Sequence, residues 1–196
     1  MIIAIDGPAA AGKGTLASRI AEALGFAHLD TGALYRAVGL GVLCAGQDPA
    51  DAQAALAVAE LLDPAGLSDP ALREEETGKA ASIVSVHPQV RAALLKFQHN
   101  FARNPPNGAA GAVLEGRDIG TVVCPYADVK LYIDADLEVR AERRLAELRA
   151  QDRSQTLGAV RAEMAARDER DRNRANSPLE AAPDAHLLDT TVLDID

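Results

Sequence analysis

The chain has 196 residues, close to half of them hydrophobic and a quarter charged, with no Trp, two Cys and a net charge of −9. That length and balance suit one globular domain with an ample core. The negative charge argues against a broad nucleic-acid surface, the two cysteines lack metal-ligand or secreted-scaffold spacing, and no apolar run reaches the length of a membrane span. Because Met1 leads directly into the first apolar run, no signal peptide is expected, and elimination points to the cytoplasm.

Taken in order, the apolar run 1–5 predicts a strand. It is followed by Gly7-Pro8-Ala9-Ala10-Ala11-Gly12-Lys13-Gly14-Thr15 and by a helical pattern over 16–24. Strand, glycine-bounded loop, lysine, hydroxyl and helix form the order that wraps backbone N–H groups around a phosphate. The helix N-terminus adds its own partial positive charge. The hydroxyl follows Lys13 by two places rather than one, a spacing suited to a nucleoside monophosphate kinase. The competing reading is a flexible Ala/Gly turn.

Residues 26–30 read as a second strand ending on Asp30, with Gly25 as the helix stop before it. A helix is expected from 33 to 45, carrying Tyr35 and Arg36 in its first turn. Both can pack structurally or contact a ligand. The βαβα alternation predicts an α/β fold with a parallel sheet, in which ligands gather at the carboxyl ends of the strands. A helix over 51–62 is broken at 63–66, and 63–78 reads as a polar surface insertion. Residues 80–102 are helical in parts, interrupted at His87-Pro88, with Val90, Leu94, Phe97 and Phe101 as core. Residues 104–108 form a loop.

The buried-type strand 112–114 ends at Glu115-Gly116-Arg117-Asp118, where a carboxylate facing a phosphate loop is placed to hold Mg²⁺ through water. A strand over 129–134 precedes a helix over 137–150 that puts Arg140, Arg143 and Arg144 on one face. A polar tip over 151–155 and a helix over 157–174 follow, and this arginine-bearing helical pair reads as a lid. A last strand covers 186–189. Ten of the sixteen arginines lie between Arg140 and Arg174. Two readings of that run stand level: a local anionic ligand, or a solvated helix face salt-bridged to the interleaved acids. The four histidines have no metal spacing and adjoin no nucleophile motif, so a hydrolase with a side-chain nucleophile is not supported.

In order along the chain, residues 7–15, Leu29-Asp30-Thr31-Gly32-Ala33-Leu34-Tyr35-Arg36, Glu115-Gly116-Arg117-Asp118-Ile119-Gly120, the run 167–174 and Asp189-Thr190-Thr191 closely resemble the bacterial cytidylate kinase family. The resemblance covers nearly the whole chain and implies a P-loop fold with a five-stranded parallel sheet, a lid over about 143–158 and a monophosphate-side insertion, here 63–79. It implies transfer of the γ-phosphoryl group of ATP, with Mg²⁺, to CMP or dCMP. ATP is then expected on Gly7, Ala9, Ala10, Ala11, Gly12, Lys13, Gly14 and Thr15. Arg36, Arg117 and Arg174 meet the CMP phosphate, with Tyr35 nearby and Gly116 beside them. Ser82, Arg91 and Asp118 face the cytosine, Arg167 and Asp171 the sugar hydroxyls, and Thr31 stands beside the base. Lys13, Arg36, Arg117, Arg143, Arg144 and a contribution from Arg153 surround the transferring group, and Thr15 and Glu115 hold the metal through water. The attacking phosphate oxygen is already anionic, so no general base is required.

The sequence departs from the family twice. Residues 63–79 are too short for the insertion's small strands, and the chain ends soon after Asp189-Thr190-Thr191, without a final helix. Small-molecule substrates are expected as the partners of a monomer, with self-association covering the exposed sheet flank as the alternative. Rival functions are a kinase of another monophosphate and a nucleotide-binding homologue without catalysis.

Overall fold

The protein is described by a computed structural model that covers residues 1–63, 66–67, 69–150 and 155–194. The expected polar tip, including Arg153, falls mostly outside the described residues.

The apolar run at the start forms β1 (Ile2–Asp6), and the loop after it opens α1 (Lys13–Leu24), which Gly25 ends in a left-handed conformation. Strand β2 (Ala27–Asp30) runs straight into α2 (Thr31–Cys44), because the Asp30 carboxylate caps that helix by accepting from the N–H groups of Gly32 and Ala33. Helix α3 (Ala52–Glu60) is capped in the same way by Asp51. A 3₁₀ turn (Pro70–Arg73) then leads into α4 (Glu75–Val84), and α5 (Pro88–Arg103) starts on its proline. Strand β3 (Ala112–Gly116), a π-helical turn (Ile119–Val123) and β4 (Val129–Asp134) come next. Helices α6 (Leu137–Arg149) and α7 (Leu157–Arg172) precede β5 (His186–Asp189).

The acidic run at Glu74–Glu76 corrects the expectation of a surface insertion through residue 78. Glu75 and Glu76 occupy the first turn of α4, where negative charge favours the helix dipole, and α4 packs along α2. The helix expected at 33 starts two residues earlier, since Asp30 supplies the cap.

All strand pairs are parallel, in the order β2-β3-β1-β4-β5. Alternate residues of β1 and β3 feed the two faces. Ala4, Ala112 and Leu114 pack with α2 and α5 residues such as Leu34, Val38 and Leu94, while Ile3, Ile5 and Val113 pack with Ala17 and Ala21 of α1. Each fully buried Leu or Ile contributes about 1.5–3 kcal/mol. The chain moves from β1 outward to β2, returns to place β3 beside β1, and then crosses β1 to β4. The crevice at the carboxyl ends of β1 and β3 is therefore the switch point where such sheets take ligands.

Candidate active site

Gly7 leaves β1 with φ +148°, and a Cβ there would overlap the carbonyl oxygen of Ile133, so the loop can turn over the strand ends only with glycine. Within residues 7–15, Ala9, Ala10 and Lys13 line a cavity of ≈ 220 Å³. Ala11 is buried in the core beneath, and Thr15 is exposed on the first turn of α1. Gly14 lets α1 approach β3 closely: a Cβ on it would sit 3.3 Å from Glu115 Oε1. Burial, then Arg117, brings the Lys13 ammonium down to about 8 despite Glu115 and Asp30.

On the other side of the cavity stand Arg36, Arg117, Arg144, Arg167 and Arg174. Arg117 Nε donates to Asp171 Oδ2 at 3.1 Å, and Arg174 Nη2 donates to Asp171 Oδ1 at 2.6 Å. Burial pulls the Asp171 carboxyl up, but Arg117, Arg174 and Arg167 outweigh it and hold the group below the usual carboxylate range. Arg36 donates to the Leu72 carbonyl at 2.8 Å. The guanidinium of Arg167 is pushed down to about 10 by burial and then by Arg117, with Arg36 and Arg144 acting in the same direction. Arg36 is likewise lowered by burial, with Arg144 and Arg117 opposing Asp30. The buried Nε atoms of Arg167 and Arg174 have no hydrogen-bond partner among the described residues. Cations gathered this closely repel one another until an anion enters.

Deeper in the same cavity, Arg91 is ion-paired and hydrogen-bonded to Asp118 and stacks over Tyr35, its Cζ lying 5.5 Å from the ring centroid. Burial raises the Tyr35 hydroxyl to about 12, and Gln98 hydrogen-bonds to it. Ser82 also lines this end, as do Gly116 and Thr31. The Thr31 hydroxyl donates to the Glu115 carbonyl at 2.8 Å and so ties α2 to β3.

Arg140, Arg143 and Arg144, at i, i+3 and i+4 along α6, reach different partners: Arg140 is buried and pairs with Asp168 at 2.8 Å, and Arg144 lines the cavity and pairs with Glu147. Arg143 instead donates to Thr190 Oγ1 at 3.1 Å and to the Thr190 carbonyl at 2.6 Å. At 100° per residue the three fall within an arc of about 100°, and their long side chains leave that arc for separate partners. Arg143 thus braces the C-terminal segment, and Thr190 Oγ1 in turn donates to the Ala11 carbonyl of the loop at 2.9 Å.

Among residues the sequence reading passed over, His28 Nε2 lies 3.0 Å from Glu115 Oε1, and Asp6 holds the turn after β3. Among the described residues no group of three His, Cys, Asp or Glu side chains can hold a metal ion. Glu115, 5% exposed, lines the cavity and offers oxygen donors of the kind a hard cation takes, while Thr15 is an exposed residue on the first turn of α1.

Fold and site together define a phosphate-loop α/β protein with an arginine-rich cavity at the sheet's switch point. The family description "Cytidylate kinase" matches residues 3–196. A cytidylate kinase of Rhodospirillum rubrum is 59% identical over 191 residues, covering 97% of this chain and 90% of its own. One from Nitrobacter winogradskyi is 56% identical, covering 100% and 91% respectively. Among solved structures, an uncharacterized protein from Eubacterium ventriosum superposes with a TM-score of 0.54 at 14% identity, over 100% of this chain and 91% of that one, a likeness of fold alone. The chain belongs to the cytidylate kinase family.

Proposed function

We propose that the protein phosphorylates CMP and dCMP, transferring the γ-phosphoryl group of ATP in line to the acceptor phosphate. The observation that carries this reading is the convergence of Lys13, Arg36, Arg117, Arg144 and Arg167 on one cavity, where burial and mutual repulsion depress Lys13, Arg36 and Arg167. Such a cluster is stabilised by two polyphosphate or monophosphate anions meeting end to end, and family membership supplies the nucleotides.

The loop residues Gly7, Ala9, Ala10, Ala11, Gly12, Gly14 and Thr15 cradle the ATP phosphates with Lys13 on the outer ones. Arg36, Arg117 and Arg174 bind the CMP phosphate beside Tyr35 and Gly116, with arginine forks matched to its oxygens. Cytosine offers an N4 donor beside the N3 and O2 acceptors, which the Arg91–Asp118 pair and Ser82 complement, with Thr31 close by. Arg167 and Asp171 take the sugar hydroxyls. Arg144 faces the transferring group; of the two lid arginines, the role rests on it, because Arg143 is engaged with Thr190. Thr15 and Glu115 would hold Mg²⁺ through water, and the ion would supply charge neutralisation to the phosphates. The acceptor oxygen is anionic at neutral pH, so the protein's task is positioning and exclusion of water.

The chain acts as one nucleoside monophosphate kinase domain over 1–196, with 143–158 as lid and 63–79 on the monophosphate side. It works as a cytoplasmic monomer on small molecules, without nucleic acid. Its charge of −9 supports this, as does the finding that no helix among the described residues is long and apolar enough to cross a membrane. A coupled assay with ATP, Mg²⁺ and each nucleoside monophosphate in turn tests the reading. CDP formation from CMP, well ahead of UMP and AMP, is expected. Binding without product, or a faster rate with another monophosphate, overturns it.

A further inference from the structure

Asp6 is the last residue of β1, one position before the phosphate loop, yet it is not among the residues lining the arginine-rich cavity. Its side chain is 3% exposed. Oδ1 accepts from the Ile119 N–H and Oδ2 from the Gly120 N–H, both at 2.7 Å. Those amides open the π-helical turn Ile119–Val123, whose N-cap residue, Asp118, makes no capping bond with its own side chain. The turn is therefore held by a carboxylate from a different strand. Arg117 and Asp118, immediately before it, are cavity residues, and the charges of both reach Asp6.

Strand pairing does not require an acid here, since β1 meets Gly116 and Tyr132 at this level through its backbone. Burial raises the Asp6 carboxyl to about 6 against the pull of the two amides, so the group disfavours its own ionised form. Two N–H donors on two separate oxygens require two acceptors. Asparagine presents one acceptor oxygen and an NH₂ group that can only donate, and an apolar side chain presents no acceptor.

We infer that Asp6 is a positioning residue that fixes Arg117 and Asp118 relative to the phosphate loop, and so sets how tightly and how selectively the pyrimidine monophosphate is held. This rests on the proposal that Arg117 and Asp118 contact CMP. The Asp6→Asn variant is expected to raise KM for CMP about tenfold and to lower the CMP-to-UMP ratio of kcat/KM severalfold. The Kd of a non-hydrolysable ATP analogue should stay within about twofold, because the cradle of residues 7–15 does not depend on the turn. A merely structural role would weaken both nucleotides alike and leave the ratio unchanged; either result overturns the inference.

Asp118→Asn run in parallel separates the two levels. If it loses selectivity while Asp6→Asn keeps it, the inference falls and the CMP reading stands. If neither variant changes selectivity, the inference falls together with the assignment of Asp118 to the base, while CDP formation from CMP still tests the function. Should Asp6→Asn not fold, amide hydrogen exchange in the wild-type protein decides. Added protection of Ile119 and Gly120 on binding CMP, and not on binding the ATP analogue alone, supports the role; no change with CMP overturns it.

Discussion

Arg140 and Asp168 form an ion pair at 2.8 Å with both side chains 4% exposed, joining α6 to α7, the helix that carries Arg167 and Asp171. Arg140 also donates to the carbonyls of Ala135 and, at 3.3 Å, Ala9 of the phosphate loop. One buried guanidinium thus ties together β4's exit, the loop and α7. Asp168 has little else to fall back on, since its Oδ1 is buried without a hydrogen-bond partner among the described residues. Arg140→Met should lower the unfolding free energy by about 3–5 kcal/mol, because it strands a buried carboxylate. Replacing Asp168 by Leu in the same chain should recover much of that loss. Urea denaturation of the two variants checks this; a single variant within about 1 kcal/mol of wild type would contradict it.

Lys13 gives a prediction in pH. Its ammonium is brought down to about 8 in the free protein by burial and Arg117, and bound phosphates raise it again. Binding of an ATP analogue must then take up a proton when the pH exceeds about 8. Affinity should be constant below that value and fall by up to about tenfold per pH unit above it. Isothermal titration at pH 8.5 in buffers of different ionisation enthalpy should report the proton uptake, and Lys13→Ala should abolish it. The same variant should lose several orders of magnitude in turnover.

Much of this arrangement is legible in the residues. The order of strand, glycine loop, lysine and helix survives translation into three dimensions because each step is local, and residues 129–134 and 186–189 match their strands at both ends. The first half of helix α4, residues 75–79, was hidden because its buried position there is Thr77, and the buried positions that follow, Ala80, Ala81, Ser82 and Val84, are also small residues that give little hydrophobic signal. They fit where α2 presents Gly39, close enough that a Cβ there would touch Ala80 and Ala81. The roles of Asp6 and His28 were hidden for another reason. Their partners, Gly120 and Glu115, are 114 and 87 residues away, and no periodicity reports a contact made only by strand order.

Asp118 is expected to govern the choice of base. Its carboxylate is 6% exposed and already engaged by Arg91, so a uracil, with an acceptor where cytosine has a donor, would leave a buried polar pair unmatched. Asp118→Asn should shrink the preference for CMP over UMP roughly ten- to hundredfold, since the amide can also donate. The ratio of the two kcat/KM values is the measurement. An unchanged ratio would place base recognition elsewhere in the cavity.

Arg167 should show stability and function in opposition. Its guanidinium is lowered to about 10 by desolvation and by Arg117, and its buried Nε has no hydrogen-bond partner among the described residues. Because this depression disfavours the charged form in the folded state, the penalty is fully present below pH 10 and eases only as the pH rises through the interval up to the ordinary arginine value. Arg167→Met, which keeps the length of the side chain and removes the charge, should therefore raise the unfolding free energy of the ligand-free protein at pH 7 by about 1–3 kcal/mol. If Arg167 meets the sugar hydroxyls as proposed, the same change should weaken CMP binding about tenfold or more. Thermal melts with and without CMP separate the two effects. The variant should melt above wild type when free and gain less from added nucleotide, because the ligand's stabilisation scales with the logarithm of its saturation. A variant that melts below wild type in the absence of CMP would mean that Asp171 compensates Arg167 more fully than its lowered proton affinity indicates.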